Sequence, residues 1–156
     1  YKGFDLNIFF QGSQGNDVFN GSRLFLESLQ GGDNQLAVIN DRWQQPGDIT
    51  NIPAATNDPE LAASNVRVSS RFIEDGSYLR LKNLTLGYTF HMGERIKQSI
   101  SGFRIYFTGQ NLFTLTKYSG LDPEVNYIGN DNAVIGTDFF TFPQARIYSF
   151  GLNLTF

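Results

Sequence analysis

The stretch Ile147-Tyr148-Ser149-Phe150-Gly151-Leu152-Asn153-Leu154-Thr155-Phe156 decides the fold. Side chains of an extended chain point alternately to opposite faces. Tyr148, Phe150, Leu152, Leu154 and Phe156 therefore share one face, and Ser149, Gly151, Asn153 and Thr155 share the other, headed by Ile147. An apolar period of two predicts a strand rather than a helix. The pattern recurs three times. Phe4, Leu6, Ile8 and Phe10 alternate with Asp5, Asn7, Phe9 and Gln11. Leu84, Leu86, Tyr88 and Phe90 alternate with Thr85, Gly87 and Thr89. A strand from about Phe103 to Asn111 sets Phe103, Ile105 and Phe107 against Arg104, Tyr106, Thr108 and Gln110. Upstream, Leu79 and Leu81 alternate with Arg80 and Lys82 in the opposite phase. The slip near Asn83 predicts a β-bulge, because one extra residue flips every later side chain.

These strands are long. Globular strands average about five or six residues, whereas a tilted membrane-crossing strand needs about 9–11. Length with strict alternation predicts an all-β fold: about four C-terminal strands of a transmembrane antiparallel β-barrel with long outer loops. A large soluble antiparallel sandwich carries the same pattern and stays open as an alternative. Charged residues make up 17% of the chain and aromatic ones 15%. The charged share lies below the roughly 25% of soluble domains, as expected of a surface that partly meets lipid. The net charge is −3 and the Lys and Arg residues are scattered, which gives no footprint for nucleic acid. The absence of Cys excludes disulfides, thiolate metal sites, a cysteine nucleophile and a lipid-anchor cysteine within these residues. No run reaches the 18 or so apolar residues of a membrane helix. The first residue is Tyr1 rather than Met, so the chain is expected to begin inside something longer or to have been processed.

Residues 13–70 hold the turn signals Gly31-Gly32-Asp33-Asn34, Gln45-Pro46-Gly47-Asp48 and Asn57-Asp58-Pro59. Within them, Ser22 to Leu29 reads as a short helix with Leu24, Phe25 and Leu29 on one side. A second long polar segment covers 114–145, and 91–102 is a short connection. Outer-membrane barrels have short periplasmic turns and long extracellular loops. Segments 13–70 and 114–145 are thus expected outside and 91–102 in the periplasm, where the last strand also ends. The apolar faces should meet lipid, and Asp5, Asn7, Gln11, Arg104, Tyr106, Thr108 and Gln110 should face the lumen. The slip near Asn83 leaves the direction of Arg80 and Lys82 open.

Candidate chemistry is sparse. His91 is the single histidine; a catalytic triad would need it beside a nucleophile, and its setting His91-Met92-Gly93-Glu94 predicts a solvated turn. Asp122, Glu124, Asp131 and Asp138 fall in one long loop without EF-hand spacing, which predicts a solvated loop rather than a calcium site. No metal ligand set, cofactor motif or catalytic residue is expected. Trp43, Tyr118 and Tyr127 lie in the expected outer loops and are candidates for substrate or lid contact, against the plainer alternative of loop packing. The Asn-Xaa-Ser/Thr patterns at Asn20, Asn83 and Asn153 read as chance, two of them lying inside strands. Gly87, Gly109 and Gly151 are isolated strand glycines, expected to mark close backbone approach or a bend.

Several long runs resemble a known family. Residues 70–90 (SRFIEDGSYLRLKNLTLGYTF), 103–125 (FRIYFTGQNLFTLTKYSGLDPEV) and 142–156 (FPQARIYSFGLNLTF) look like the C-terminal signatures of SusC/RagA-type TonB-dependent transporters. Asp41-Arg42-Trp43 and Asn51-Ile52-Pro53 resemble the preceding loop more loosely. The resemblance covers roughly residues 40 to 156. It implies a barrel of ~22 strands, within the range of outer-membrane barrels. It also implies an N-terminal plug with a TonB box, neither of which is in these residues, and residence in the bacterial outer membrane. The implied activity is import of oligosaccharides or peptides, driven by TonB–ExbB–ExbD through that missing N-terminal part, with a SusD-like surface lipoprotein as lid. Ser149, Gly151, Leu154 and Phe156 match the form polar-x-Gly-x-x-apolar-x-aromatic, which resembles the signal read by the barrel assembly machinery. Two other classes stay open: a small structural or adhesive outer-membrane barrel, and a soluble carbohydrate-binding β-sandwich. An enzyme is the least supported.

Overall fold

The computed structural model describes residues 1–93, 99–129 and 132–156. In chain order its strands are β1 (Phe4–Ser13), β2 (Asp17–Asn20), β3 (Ile73–Asp75), β4 (Tyr78–Phe90), β5 (Gly102–Thr116), β6 (Thr137–Asp138) and β7 (Ile147–Thr155). Two short helices, α1 (Ser22–Leu26) and α2 (Pro59–Asn65), precede β3. The chain forms two compact units. One comprises residues 1–14, 77–117 and 143–156, the other residues 15–76 and 118–142.

The first unit is an antiparallel sheet in the order β1-β4-β5-β7. Its register assembles the alternating residues into continuous rows. Phe4, Tyr88, Ile105 and Leu152 are successive neighbours across the four strands, as are Leu6, Leu86, Phe107 and Phe150. On the other face the rows are Asn7, Thr85, Thr108 and Ser149, and Asp5, Gly87, Tyr106 and Gly151. The apolar face is held by ring contacts between neighbours: Phe4 with Tyr88 at 4.5 Å, Phe90 stacked on Phe103 at 4.8 Å, and Phe107 with Phe150 at 5.1 Å between centroids.

The bulge falls where the sequence slips. Phe9 stands opposite Asn83 and Phe10 opposite Leu81, so the register steps over Lys82. The extra residue brings Leu79 and Leu81 onto the same apolar face as Leu84 to Phe90. It also settles Arg80, which sits between Gln11 and Thr114 on the polar face and donates from Nε to the Thr114 hydroxyl at 2.9 Å. Beside Lys82, β5 carries the two residues Asn111 and Leu112, and Asn111 has φ of 50°. Pairing resumes at Phe113 and runs to Thr116. The expected end at Asn111 is therefore too early: the alternation breaks at an irregularity, not at the end of the strand.

Gly87, Gly109 and Gly151 make room for side chains rather than for a backbone. Arg104 reaches across β4 to Asp5 in a two-pronged ion pair, Nη2 to Oδ2 at 2.6 Å and Nε to Oδ1 at 3.0 Å. A Cβ at Gly87 would collide with both groups. The Tyr106 ring likewise lies over Gly151, and Leu112 folds over Gly109.

In the second unit, β2 pairs antiparallel with β3 and parallel with β6. Phe19 is opposite Thr137 and Asn20 opposite Asp138, so the two long segments fold into one body. Val18, Tyr118 and Val125 form its buried cluster. The helix α1 stops at Leu26, short of the expected Leu29, which takes φ of 57°. Leu24 is buried, but Phe25 is exposed and packs on Phe139 and Phe140. The expected turn at Asn57-Asp58-Pro59 is instead a helix start. The Asp58 carboxylate accepts the amides of Glu60 at 2.9 Å and Leu61 at 3.4 Å, with Pro59 in the first turn of α2.

Candidate functional site

The second unit is organised around two carboxylates. Glu27, on the residue after α1's last turn, is 2% exposed. It takes Arg23 Nε at 2.6 Å, and Arg71 Nη2 on its other oxygen. Glu74 on β3 accepts Arg23 Nη1 at 2.9 Å, Asn20 Nδ2 at 3.0 Å, and both the amide and the hydroxyl of Ser119 at 2.8 Å. Burial pushes the Glu74 carboxyl up, but the Ser119 donors, Arg23 and Asn20 outweigh it and hold it below the ordinary value. The Arg23 guanidinium is held above its ordinary value, first by its hydrogen bond to Glu27. This network ties the start of one long segment, through Ser119, to the ends of the other. It escapes sequence reading, because Arg23, Glu27, Arg71 and Glu74 show no spacing that announces a shared partner.

The aromatic candidates separate. Tyr118 is 5% exposed, and its hydroxyl donates to Asp138 Oδ2 at 2.6 Å. Burial, and then that bond, push its phenol well above the ordinary range. Tyr127 is exposed, its ring edge-on to Phe139 at 5.2 Å. Trp43 is partly exposed and its amide donates to the Ile52 carbonyl at 3.0 Å. It lines an open groove of about 610 Å³ with Asn51, Ile52, Asn65, Arg67 and Arg71 among the other walls.

The acidic candidates differ from the solvated loop expected of them. Asp138 is buried and accepts Tyr118 and the Thr141 amide at 3.0 Å. Asp122 is buried and accepts the Glu124 amide at 2.9 Å, an aspartate turn. Asp131, and Glu94 beside the His91 turn, lie outside the described residues. No group of three or more potential metal ligands occurs among the described residues. His91 is exposed.

In the last strand, Ser149 stands opposite Thr108, Gly151 lies beneath the Tyr106 ring, and Leu154 is opposite Phe103. Phe156 is 86% exposed. A second groove, also of about 610 Å³, runs between the side-chain rows of the sheet, lined by Phe4, Leu86, Ile105, Phe107, Phe150 and Leu152 among others. Its apolar lining suits hydrocarbon and offers no chemistry.

No family model matches the chain. Individual proteins do. TonB-dependent receptor P3 of Formosa agariphila is 38% identical over 160 residues, which is 100% of this chain and 15% of that protein. TonB-dependent receptor SusC of Bacteroides thetaiotaomicron is 37% identical over 97 residues, 62% of this chain and 9% of that protein. Among solved structures, the RagAB peptide transporter superposes with a TM-score of 0.79 at 29% identity, covering 100% of this chain and 16% of that one. The RagAB peptide importer in its closed-closed state superposes with a TM-score of 0.76 at 28% identity and the same coverage. The chain thus spans about a sixth of the length of the proteins it matches. These are receptors and transporters, and the enzyme alternative falls away with them. Similarity over the whole chain, in sequence and in fold, meets the long motifs at residues 70–90, 103–125 and 142–156: the chain belongs to the SusC/RagA type of TonB-dependent receptors, as a C-terminal segment of that type.

Proposed function

We propose that the chain supplies membrane-crossing strands and outer loops to a TonB-dependent importer of bulky nutrients in a bacterial outer membrane. One observation carries this: the apolar face of the sheet is uncovered. Leu6, Ile8, Leu86, Ile105, Phe150 and Leu152 all remain exposed. Burying such a side chain is worth about 1.5–3 kcal/mol. Leaving the whole face in water would forgo an energy comparable to the roughly 5–15 kcal/mol that stabilises an ordinary domain. Hydrocarbon removes the conflict. From Phe90 to Leu79 the face runs about 35 Å at the roughly 3.3 Å rise of a strand. At a tilt of about 40° this projects to about 27 Å, close to the apolar band of outer-membrane barrels, about 25 Å tall.

Further support comes from the sheet edges. Among the described residues β1 pairs only with β4, and β7 only with β5. Long open edges invite further strands, as a larger closed barrel would supply. In this proposal the Asp5, Arg104 and Tyr106 face looks into the lumen. Segments 13–70 and 114–145 look outward, and 91–102 lies in the periplasm. Ser149, Gly151, Leu154 and Phe156 serve the barrel assembly machinery. Trp43 and Tyr127 remain candidate contacts for substrate or for a SusD-like lipoprotein, while the burial of Tyr118 suits it to holding the loops together. The RagAB relative is a peptide transporter, which makes peptides one substrate class, and the family resemblance makes oligosaccharides another. TonB–ExbB–ExbD would act through parts of the protein outside these residues.

The test is purification of the native polypeptide from a detergent-solubilised membrane fraction. A chain several times heavier than 17.5 kDa, accompanied by a surface lipoprotein, is the expected result. A native chain of about that mass would contradict it, leaving a small barrel if detergent is required and a soluble binding module if it is not.

A further inference from the structure

The groove beside Trp43 has a charge pattern that names a ligand class. Its walls include Arg67 and Arg71, the amides Asn51 and Asn65, and the serines Ser64 and Ser69, and no Asp or Glu. The two arginines are differently engaged. Arg71 gives Nη2 to the buried Glu27, while its Nε–H meets no acceptor among the described residues. Arg67 is exposed, and its guanidinium has no hydrogen-bond or ion-pair partner among the described residues. The Trp43 indole N–H and the Asn51 carboxamide are likewise without protein partners among those residues. Asn65 spends its Nδ2 on the Ala54 carbonyl at 3.0 Å, which fixes one wall.

An open groove with one uncommitted guanidinium, uncommitted N–H donors, a flat indole and no carboxylate suits an oxyanion carried on a ring. Guanidinium forks match carboxylate and sulfate oxygens in pairs. The indole face accepts the C–H face of a sugar ring, and its N–H supplies a donor at the rim. We propose that this groove binds an acidic sugar unit, a uronate or a sulfated sugar, with the ring on Trp43 and the anion on Arg67. The proposal rests on reading Trp43 as a substrate contact of the importer and adds the charge of the substrate to it.

The test uses the full-length protein in detergent and calorimetric titration with three probes: a uronic-acid tetrasaccharide, the same tetrasaccharide after carboxyl reduction, and a tetrapeptide with a free C-terminal carboxylate. The acidic sugar should bind about tenfold more tightly than its reduced form, as expected of one charge-assisted contact. Arg67→Gln should abolish that preference, bringing the acidic sugar down to the affinity of its reduced form. Because the Arg67 side chain holds no partner among the described residues, the variant should keep the wild-type melting temperature. Trp43→Leu should weaken both sugars. Equal binding of the two sugars, or a preference that survives Arg67→Gln, overturns the proposal. So does tighter binding of the tetrapeptide than of the acidic sugar, which would keep the anion but remove the ring. The importer reading fails separately, at the mass and detergent requirement of the native chain.

Discussion

Phe150 leaves 84% of its surface exposed, while Glu27 leaves 2%. The first sits in the four-stranded sheet, the second in the body made by the two long loops, and each inverts the usual arrangement of a protein in water. In the sheet, large apolar side chains form one uncovered face, and the polar side chains pair across strands on the other, as Asp5 does with Arg104 and Thr85 with Thr108. In the loop body the apolar cluster is small, Val18, Tyr118 and Val125, and a charged network knits the segments together. In the proposed membrane setting the two regions would face different surroundings. A sheet turned toward hydrocarbon has its apolar demand met from outside. Long loops that bury only a small apolar cluster must find their order in hydrogen bonds and ion pairs.

That contrast can be broken at named residues, in the full-length protein. The largest effect belongs to Glu27→Ala. It leaves Arg71 without its carboxylate and Arg23 with Glu74 alone, and breaking a buried pair costs up to about 3–5 kcal/mol. Hydrogen exchange should show loss of protection in residues 15–76 and 118–142 while β4 and β5 stay protected. Uniform loss across the sheet would dissolve the distinction between the regions.

Next comes a matched pair on β4. Leu86→Arg places a charge on the apolar face, at about 2–4 kcal/mol if that position lies near the bilayer midplane. Thr85→Arg, one residue away on the opposite face, should cost far less. Unfolding from lipid vesicles measures both, and equal costs would show that the two faces meet the same medium. Gly151→Val comes third, because the new side chain must displace the Tyr106 ring. Overpacking of this kind costs about 1–3 kcal/mol.

The smallest effect is a pH dependence. The Glu74 carboxyl is held below its ordinary value of 4.5 in the folded loops. Its contribution is therefore fully present above that value and is lost as pH falls through the lowered one. Protease resistance of the loops should decline on acidification below about pH 4.5, and Glu74→Gln should flatten the decline. Resistance that is unchanged by acid would remove Glu74 from the network.

The sheet was legible in the sequence because its strands repeat with period two over many residues, and even the bulge left a mark as a slip near Asn83. Asn111 and Leu112 broke the period and so disguised five further residues of β5, to Thr116. The loop body was far less legible. Parallel pairing of Phe19 with Thr137 joins residues more than a hundred positions apart, and a two-residue strand has no period to read. Asp58-Pro59 has the same composition whether it opens a turn or caps a helix. Trp43, Tyr118 and Tyr127 looked alike as loop aromatics; only the fold separates the buried Tyr118 from the other two.

The most direct measurement is a nitroxide scan along β4 in the full-length protein, in outer-membrane vesicles. The chain has no cysteine, so single cysteines at positions from Leu84 to Phe90, passing over Gly87, carry the label without interference from these residues. Collision with oxygen, which concentrates in lipid, should peak at Leu84, Leu86 and Tyr88. Collision with a water-soluble nickel complex should peak at Thr85 and Thr89. Two profiles of period two, out of phase, are the predicted result. Profiles that rise and fall together, or that show no period, would contradict the claim that one face of this sheet meets lipid.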